Sequence, residues 1–241
     1  MNRIDGRKID ELRPIEIKKN PQKDPAGSVL IHWGDTHVLC AAQVEEKLPP
    51  WMMNENRGWI TAEYNMLPGS SDKRIHREKS RSNGRTHEIQ RLIGRCLRAS
   101  VSLEELGPRS IIVDCDVIQA DGGTRVASIT GAYLALQLAI DRLLKTNKLK
   151  KRPESTKVAA VSIGKHNGQI LTDLNYHEDS RAELDANIVM NEKGEFVEIQ
   201  GTAEKGAFSR SEFQELLASA EFACQKIFEI QNHYLDLWDL K

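Results

Sequence analysis

Residues 28–33 and 37–44 are apolar, β-branched runs separated by Gly34-Asp35-Thr36, which predicts a hairpin closed by a short Gly-Asp turn. Residues 58–64 add a further strand. From Thr86 the period changes: Ile89, Leu92, Ile93, Cys96 and Leu97 recur three and four apart, the stripe of an amphipathic helix whose other faces carry Arg91, Arg95 and Arg98. Residues 110–120 read as a strand, Asp121-Gly122-Gly123-Thr124 as a turn, and residues 129–144 as a long helix. The polar, basic and Pro-containing stretch 145–156 predicts a connection between two halves, 1–145 and 157–241, packed as one compact unit. Strand patterns then resume at 158–165 and 169–173 around His166-Asn167-Gly168, and at 186–190 and 196–200 around Gly194. A closing helix carries Phe213, Leu216, Leu217, Ala220, Cys224 and Ile227, a stripe that reads as core. The fold class is α/β with mixed sheets and helices packed on them.

Composition changes this picture little: 39% hydrophobic and 16 Gly in 241 residues exclude disordered, collagen-like and fibrous classes. No apolar run approaches the roughly 18–20 residues that span a bilayer, and the first residues show no signal-peptide core, so a cytoplasmic protein with no membrane partner is expected. The four Cys lie 56, 19 and 109 residues apart, which fits neither a zinc spacing nor a disulfide framework and predicts reduced core thiols. Charge changes it more. The net charge of -1 hides nine basic against two acidic residues from Lys73 to Arg98, and fifteen acidic against six basic from Asp173 to Lys241. The basic segment suits phosphate contacts; a solvated surface is the plainer alternative.

Gly122-Gly123-Thr124-Arg125 falls where a strand ends and a helix begins, so free N–H groups, a hydroxyl and a forked guanidinium can face an anion. A tight turn capped by Thr124 explains the same residues. Arg85 at a second Gly-marked helix start can close on that anion, or be a first-turn surface residue. Glu178, Asp179, Glu183 and Asp185 cluster before a strand as hard-oxygen donors for Mg²⁺ or as a general acid; for Glu178 and Glu183, helix capping or a surface role is the simpler reading. HExxH, GxSxG and CxxC patterns are absent, so zinc hydrolysis and triad acyl transfer have no support.

Several longer strings occur in one order: Arg3-Ile4-Asp5-Gly6-Arg7, Arg57-Gly58-Trp59 with Thr61-Ala62-Glu63-Tyr64, Gly84-Arg85-Thr86 with Glu88-Ile89-Gln90-Arg91, Gln119-Ala120-Asp121-Gly122-Gly123-Thr124-Arg125, Glu178-Asp179-Ser180 and Gln200-Gly201-Thr202-Ala203-Glu204. By these the chain resembles the bacterial ribonuclease PH family from about Arg3 to about Ile230. The resemblance implies a phosphorolytic 3′-to-5′ exoribonuclease that trims tRNA precursors, with a role in rRNA 3′ processing. The terminal nucleotide passes to inorganic phosphate as co-substrate, and a nucleoside diphosphate leaves. It implies a left-handed βαβ crossover and a homohexamer built as a trimer of dimers. It assigns Arg85, Gly123, Thr124 and Arg125 to phosphate, Asp179 and Asp185 to catalysis and Mg²⁺, and Arg74 and Arg77 to tRNA. Gly69 stands where the family often has Arg after Met-Leu-Pro. A non-catalytic RNA-binding subunit of an exosome-like ring and a hydrolytic nuclease are the competing classes.

Overall fold

The structure, a computed structural model, describes residues 3–77 and 83–240; residues 78–82 of the basic segment lie outside them. Strands β1 (Ile15–Lys19), β2 (Gly27–Trp33), β3 (Thr36–Glu45), β4 (Trp59–Met66) and β5 (Ser110–Gln119) form one sheet in the order β1-β2-β3-β5-β4. In the β2–β3 hairpin Trp33 pairs with Thr36, leaving Gly34 and Asp35 as a two-residue loop. β4 and β5 are parallel and joined through helix α1 (Gly84–Ala99) and the single turn α2 (Leu103–Leu106). β1 was not foreseen, because its alternation rests on only two apolar positions, Ile15 and Ile17.

After β5 comes α3 (Thr124–Lys145), then β6 (Val158–His166), β7 (Gln169–Thr172), the single turn α4 (Tyr176–Asp179), β8 (Leu184–Asn191), β9 (Phe196–Ala203) and α5 (Arg210–Leu237). The four strands form an antiparallel sheet, β7-β6-β8-β9. Helix α3 lies against β2, β3 and β5 and also against β6, so it is sandwiched between the sheets. That position explains its composition: Val126 to Ile140 are buried without interruption, as expected of a helix apolar on every side. One apolar cluster includes residues of both sheets. The α1 stripe is buried as its period requires, and each of Ile89, Leu92, Ile93 and Leu97 contributes about 1.5–3 kcal/mol of burial. All four Cys are buried free thiols, and burial pushes Cys96 and Cys224 up to about 12.

Candidate active site

A cavity of about 550 Å³ opens where the carboxyl ends of β4 and β5 meet the second sheet. Arg85 of α1, Gly122 and Gly123, Thr124 and Arg125 of α3, Asp179 of α4 and Asp185 of β8 line it, together with Ser162 of β6, Tyr176 and Asn187. The turn that delivers the glycines needs them. Gly122 and Gly123 have φ +72° and +63°, and a Cβ on Gly122 would lie 2.6 Å from the Leu174 carbonyl oxygen.

Gly123 is the N-cap of α3, and no side chain caps it. The expected alternative of a capping Thr124 is therefore overturned: its hydroxyl hydrogen-bonds the Tyr64 hydroxyl at 2.8 Å. The first N–H groups of α3 have no intrahelical acceptor and sit at the positive end of a 22-residue helix, a ready anion cradle. Burial raises the Tyr64 pKa, which keeps that phenol protonated and able to donate to Thr124. Arg125 Nη1 donates to Gln200 Oε1 at 2.7 Å and to Glu88 Oε1 at 3.3 Å, which fixes its guanidinium from β9 and α1. Arg85 stands in the first turn of α1, where Asn83 Oδ1 accepts its backbone N–H at 3.1 Å.

The carboxylates line the same cavity. α4 begins with a capping box in which Asn175 and Glu178 satisfy each other's backbone N–H groups. Glu178 is a cap, as expected, but it is not at the surface. It is buried, with Arg3 Nη2 2.6 Å from Oε2, and the bonds and charge of Arg3 hold its pKa low against the opposing effect of burial. Asp179 and Asp185 behave oppositely. Burial raises the Asp179 pKa, and burial followed by repulsion from Asp179 raises that of Asp185 to about 6, while Arg85 and Arg125 pull both down. Asp185 Oδ1 is buried with no hydrogen-bond partner among the described residues. Among those residues no group of three or more His, Cys, Asp or Glu could hold a metal ion. Two carboxylates with an unused oxygen fit Mg²⁺, which keeps waters and completes its shell with substrate phosphates.

Six residues predicted from the sequence, Arg85, Gly123, Thr124, Arg125, Asp179 and Asp185, thus converge on one cavity. Arg74 and Arg77 do not line it. Both are exposed, and Arg77 lines a separate pocket with Glu63, Asp114 and Asp116. Sequence reasoning missed Ser162, Tyr176 and Asn187. The signal for two of them was available: Asp185 and Asn187 are alternate residues on one face of β8, and Ser162 pairs with Asn187 across the ladder.

Fold and cavity together define an α/β protein that presents an anion cradle to a carboxylate pair. A family model described as the 3′ exoribonuclease family, domain 1, matches residues 11–140, and that for domain 2 matches residues 156–222. The chain belongs to this family, and within it to the ribonuclease PH family. Curated relatives named Ribonuclease PH include one from Bacillus cytotoxicus, 52% identical over 97% of this chain and 96% of its own length. Another, from Bacillus mycoides, is 53% identical over the same shares. Among solved structures, rice (Oryza sativa) Rrp46 matches with a TM-score of 0.78 at 20% identity, covering 97% of this chain and all of that one. A chain from an Archaeoglobus fulgidus exosome, described with RNA bound to the active site, gives 0.80 at 23% identity over 95% and 92%. At these identities the likeness is one of fold. Among the described residues no helix is long and apolar enough to cross a membrane.

Proposed function

We propose that this chain, as a phosphate-dependent tRNA nucleotidyltransferase, trims RNA 3′ ends in the cavity just described, with the convergence of cradle, Arg pair and Asp pair carrying the assignment. Inorganic phosphate is held by Arg85, Arg125, the Thr124 hydroxyl and the free N–H groups beside Gly123. The cradle fixes the phosphate with an oxygen directed at the terminal phosphodiester, and this orientation is the main part of catalysis. Asp179 and Asp185 are the residues that would hold Mg²⁺, which when bound neutralises charge developing on the scissile phosphate and the leaving 3′ oxygen. Arg85 and Arg125 take the charge of the incoming phosphate and keep it on one wall, away from the carboxylates. Ser162 and Asn187, which also line the cavity, supply neutral hydrogen-bonding groups to the nucleotide.

The substrates are tRNA precursors and other RNA 3′ ends in the cytoplasm. Arg74 and Arg77 guide the RNA by its backbone from outside the cavity, and the working form is a homohexamer, a trimer of dimers. A single reaction tests the assignment: 3′-extended tRNA with Mg²⁺, with and without phosphate, and the products separated by charge. Phosphate-dependent nucleoside diphosphate is the expected product. Phosphate-independent monophosphate identifies a hydrolase, and no product identifies a binding subunit.

A further inference from the structure

The cradle turn does not hold itself. Thr36, at the start of β3 and fully buried, accepts the Asp121 N–H at 2.9 Å and donates to the Gly122 carbonyl at 2.6 Å. Arg13 Nη1 donates to the Asp121 carbonyl, while Nη2 and Nε of the same guanidinium hold Asp173 at 2.7 and 3.1 Å. From the other side, the Asp121 carboxylate accepts the Tyr176 N–H at 3.2 Å, and Gly122 packs on the backbone of Leu174 to Tyr176. One hydroxyl from the first sheet and one guanidinium from the segment just before it therefore set the turn that starts α3. The same turn braces the start of α4, which carries Asp179.

We propose that Thr36 and Arg13, neither of which lines the cavity, are positioning residues that fix the Asp121-Gly122-Gly123 turn so that the N–H groups of α3 converge on phosphate. The inference rests on the phosphorolytic reading of the cavity. Losing the Thr36 hydroxyl leaves Asp121 N–H and Gly122 C=O without their shared partner and frees the turn to rotate its amides away from the anion. The chemistry on the RNA side, at Asp179 and Asp185, keeps its own side chains. Loss of the positioning therefore appears in phosphate affinity before it appears in turnover at saturating phosphate.

The test uses the full-length protein with Thr36→Val, which keeps the side-chain shape, Thr36→Ser, which restores the hydroxyl, and Arg13→Lys, which keeps the charge and loses the fork. Two readouts are taken: the KM for phosphate and kcat on 3′-extended tRNA, and the shift in melting temperature produced by inorganic phosphate alone. T36V should raise the KM for phosphate roughly tenfold, the scale of one buried hydrogen-bond partner, with kcat changed less than about threefold. Its phosphate-induced melting shift should shrink in step. T36S should restore both. An unchanged KM in T36V, a fall in kcat without a rise in KM, or a T36S as impaired as T36V overturns the proposal. If T36V does not fold, R13K decides: the same split supports the positioning role, and wild-type phosphate affinity overturns it. Wild-type protein that binds phosphate but releases no diphosphate refutes the reading of the reaction, and the melting shifts still judge the positioning. No melting shift with phosphate in the wild type overturns both.

Discussion

Asp173 is fully buried and Asp185 partly so, and the fold treats their carboxylates in opposite ways. Asp173 accepts the Arg13 N–H at 2.7 Å, Arg13 Nη2 at 2.7 Å, Arg13 Nε at 3.1 Å, Trp33 Nε1 at 2.9 Å and Arg7 Nη1 at 3.4 Å. Asp185 has a buried oxygen with no partner among the described residues, and a like charge, Asp179, near enough to raise its pKa. The first carboxylate is used up by the protein and works as a joint between the N-terminal segment and both sheets. The second keeps that unpartnered oxygen, which the proposed Mg²⁺ role would use. Hydrogen-bond saturation, more than burial, separates the carboxylate that holds the fold from the one proposed to do chemistry.

The sharpest way to break this comparison is to remove each carboxylate in turn. Asp173→Ala leaves the buried Arg13 with only the longer contact to Asp121 at 3.6 Å as counter-ion, so denaturant unfolding should show a loss of about 3 kcal/mol or more. Stability equal to wild type would show that the joint is not one. Asp185→Asn should do the reverse. Turnover on 3′-extended tRNA should fall by roughly 10² or more, the scale of losing a metal ligand or a proton-transfer group. The same variant, unfolded without divalent cation at pH 8, should be about 1–2 kcal/mol more stable than wild type, because the desolvation of the carboxylate and its repulsion from Asp179 outweigh the pull of Arg85 and Arg125. A destabilised D185N with normal turnover would reverse the two roles.

The unsaturated member of this pair was the one legible in the sequence. Gly122, Gly123, Thr124, Arg125 and Arg85 are open to pattern reading because they lie at or just before a helix start, where residue type and local geometry are linked, whereas Asp179 and Asp185 were singled out from a cluster of four carboxylates by the family resemblance. The α1 stripe and the hairpins were legible for the same reason, since a period or a turn is local. Asp173, Arg13, Arg3 and Glu178 were not. Their meaning comes from contacts across about 160–175 residues of chain, such as Arg3 with Glu178 and Arg13 with Asp173, and no local period reports those. Glu178 shows the limit: capping was predictable from Asn175 three residues before it, its burial against Arg3 was not.

Arg125 tests the cation side of the unsaturated region. Its guanidinium is shared between Gln200, Glu88 and the cavity, so Arg125→Ala should raise the phosphate KM by roughly one to two orders of magnitude while tRNA binding changes little. Equal losses in phosphate affinity and in tRNA binding, measured by filter retention, would place Arg125 on the RNA path instead.

The smallest effect concerns a third setting, half-buried and facing solvent. On the outer face of the first sheet Asp114 lies beside Glu63 of β4 and Asp116 of β5, with Asn65, Arg77, Lys23 and Asp24 lining the same surface pockets. Burial, then Glu63 and Asp116, raise the Asp114 pKa to about 6. A folded-state pKa above the unfolded value near 3.8 means that the fold favours the protonated form. That contribution is complete below the unfolded value and is lost as pH rises through about 6. Asp114→Asn should therefore be more stable than wild type at pH 8 by about 1 kcal/mol, the shift being discounted for solvent screening, and the gap should fall to about half at pH 5 and close only below the unfolded value near 3.8. A gap that stays constant across that window would mean that Asp114 is already satisfied as Asp173 is, and would remove the graded series from saturated joint through solvated patch to reserved ligand.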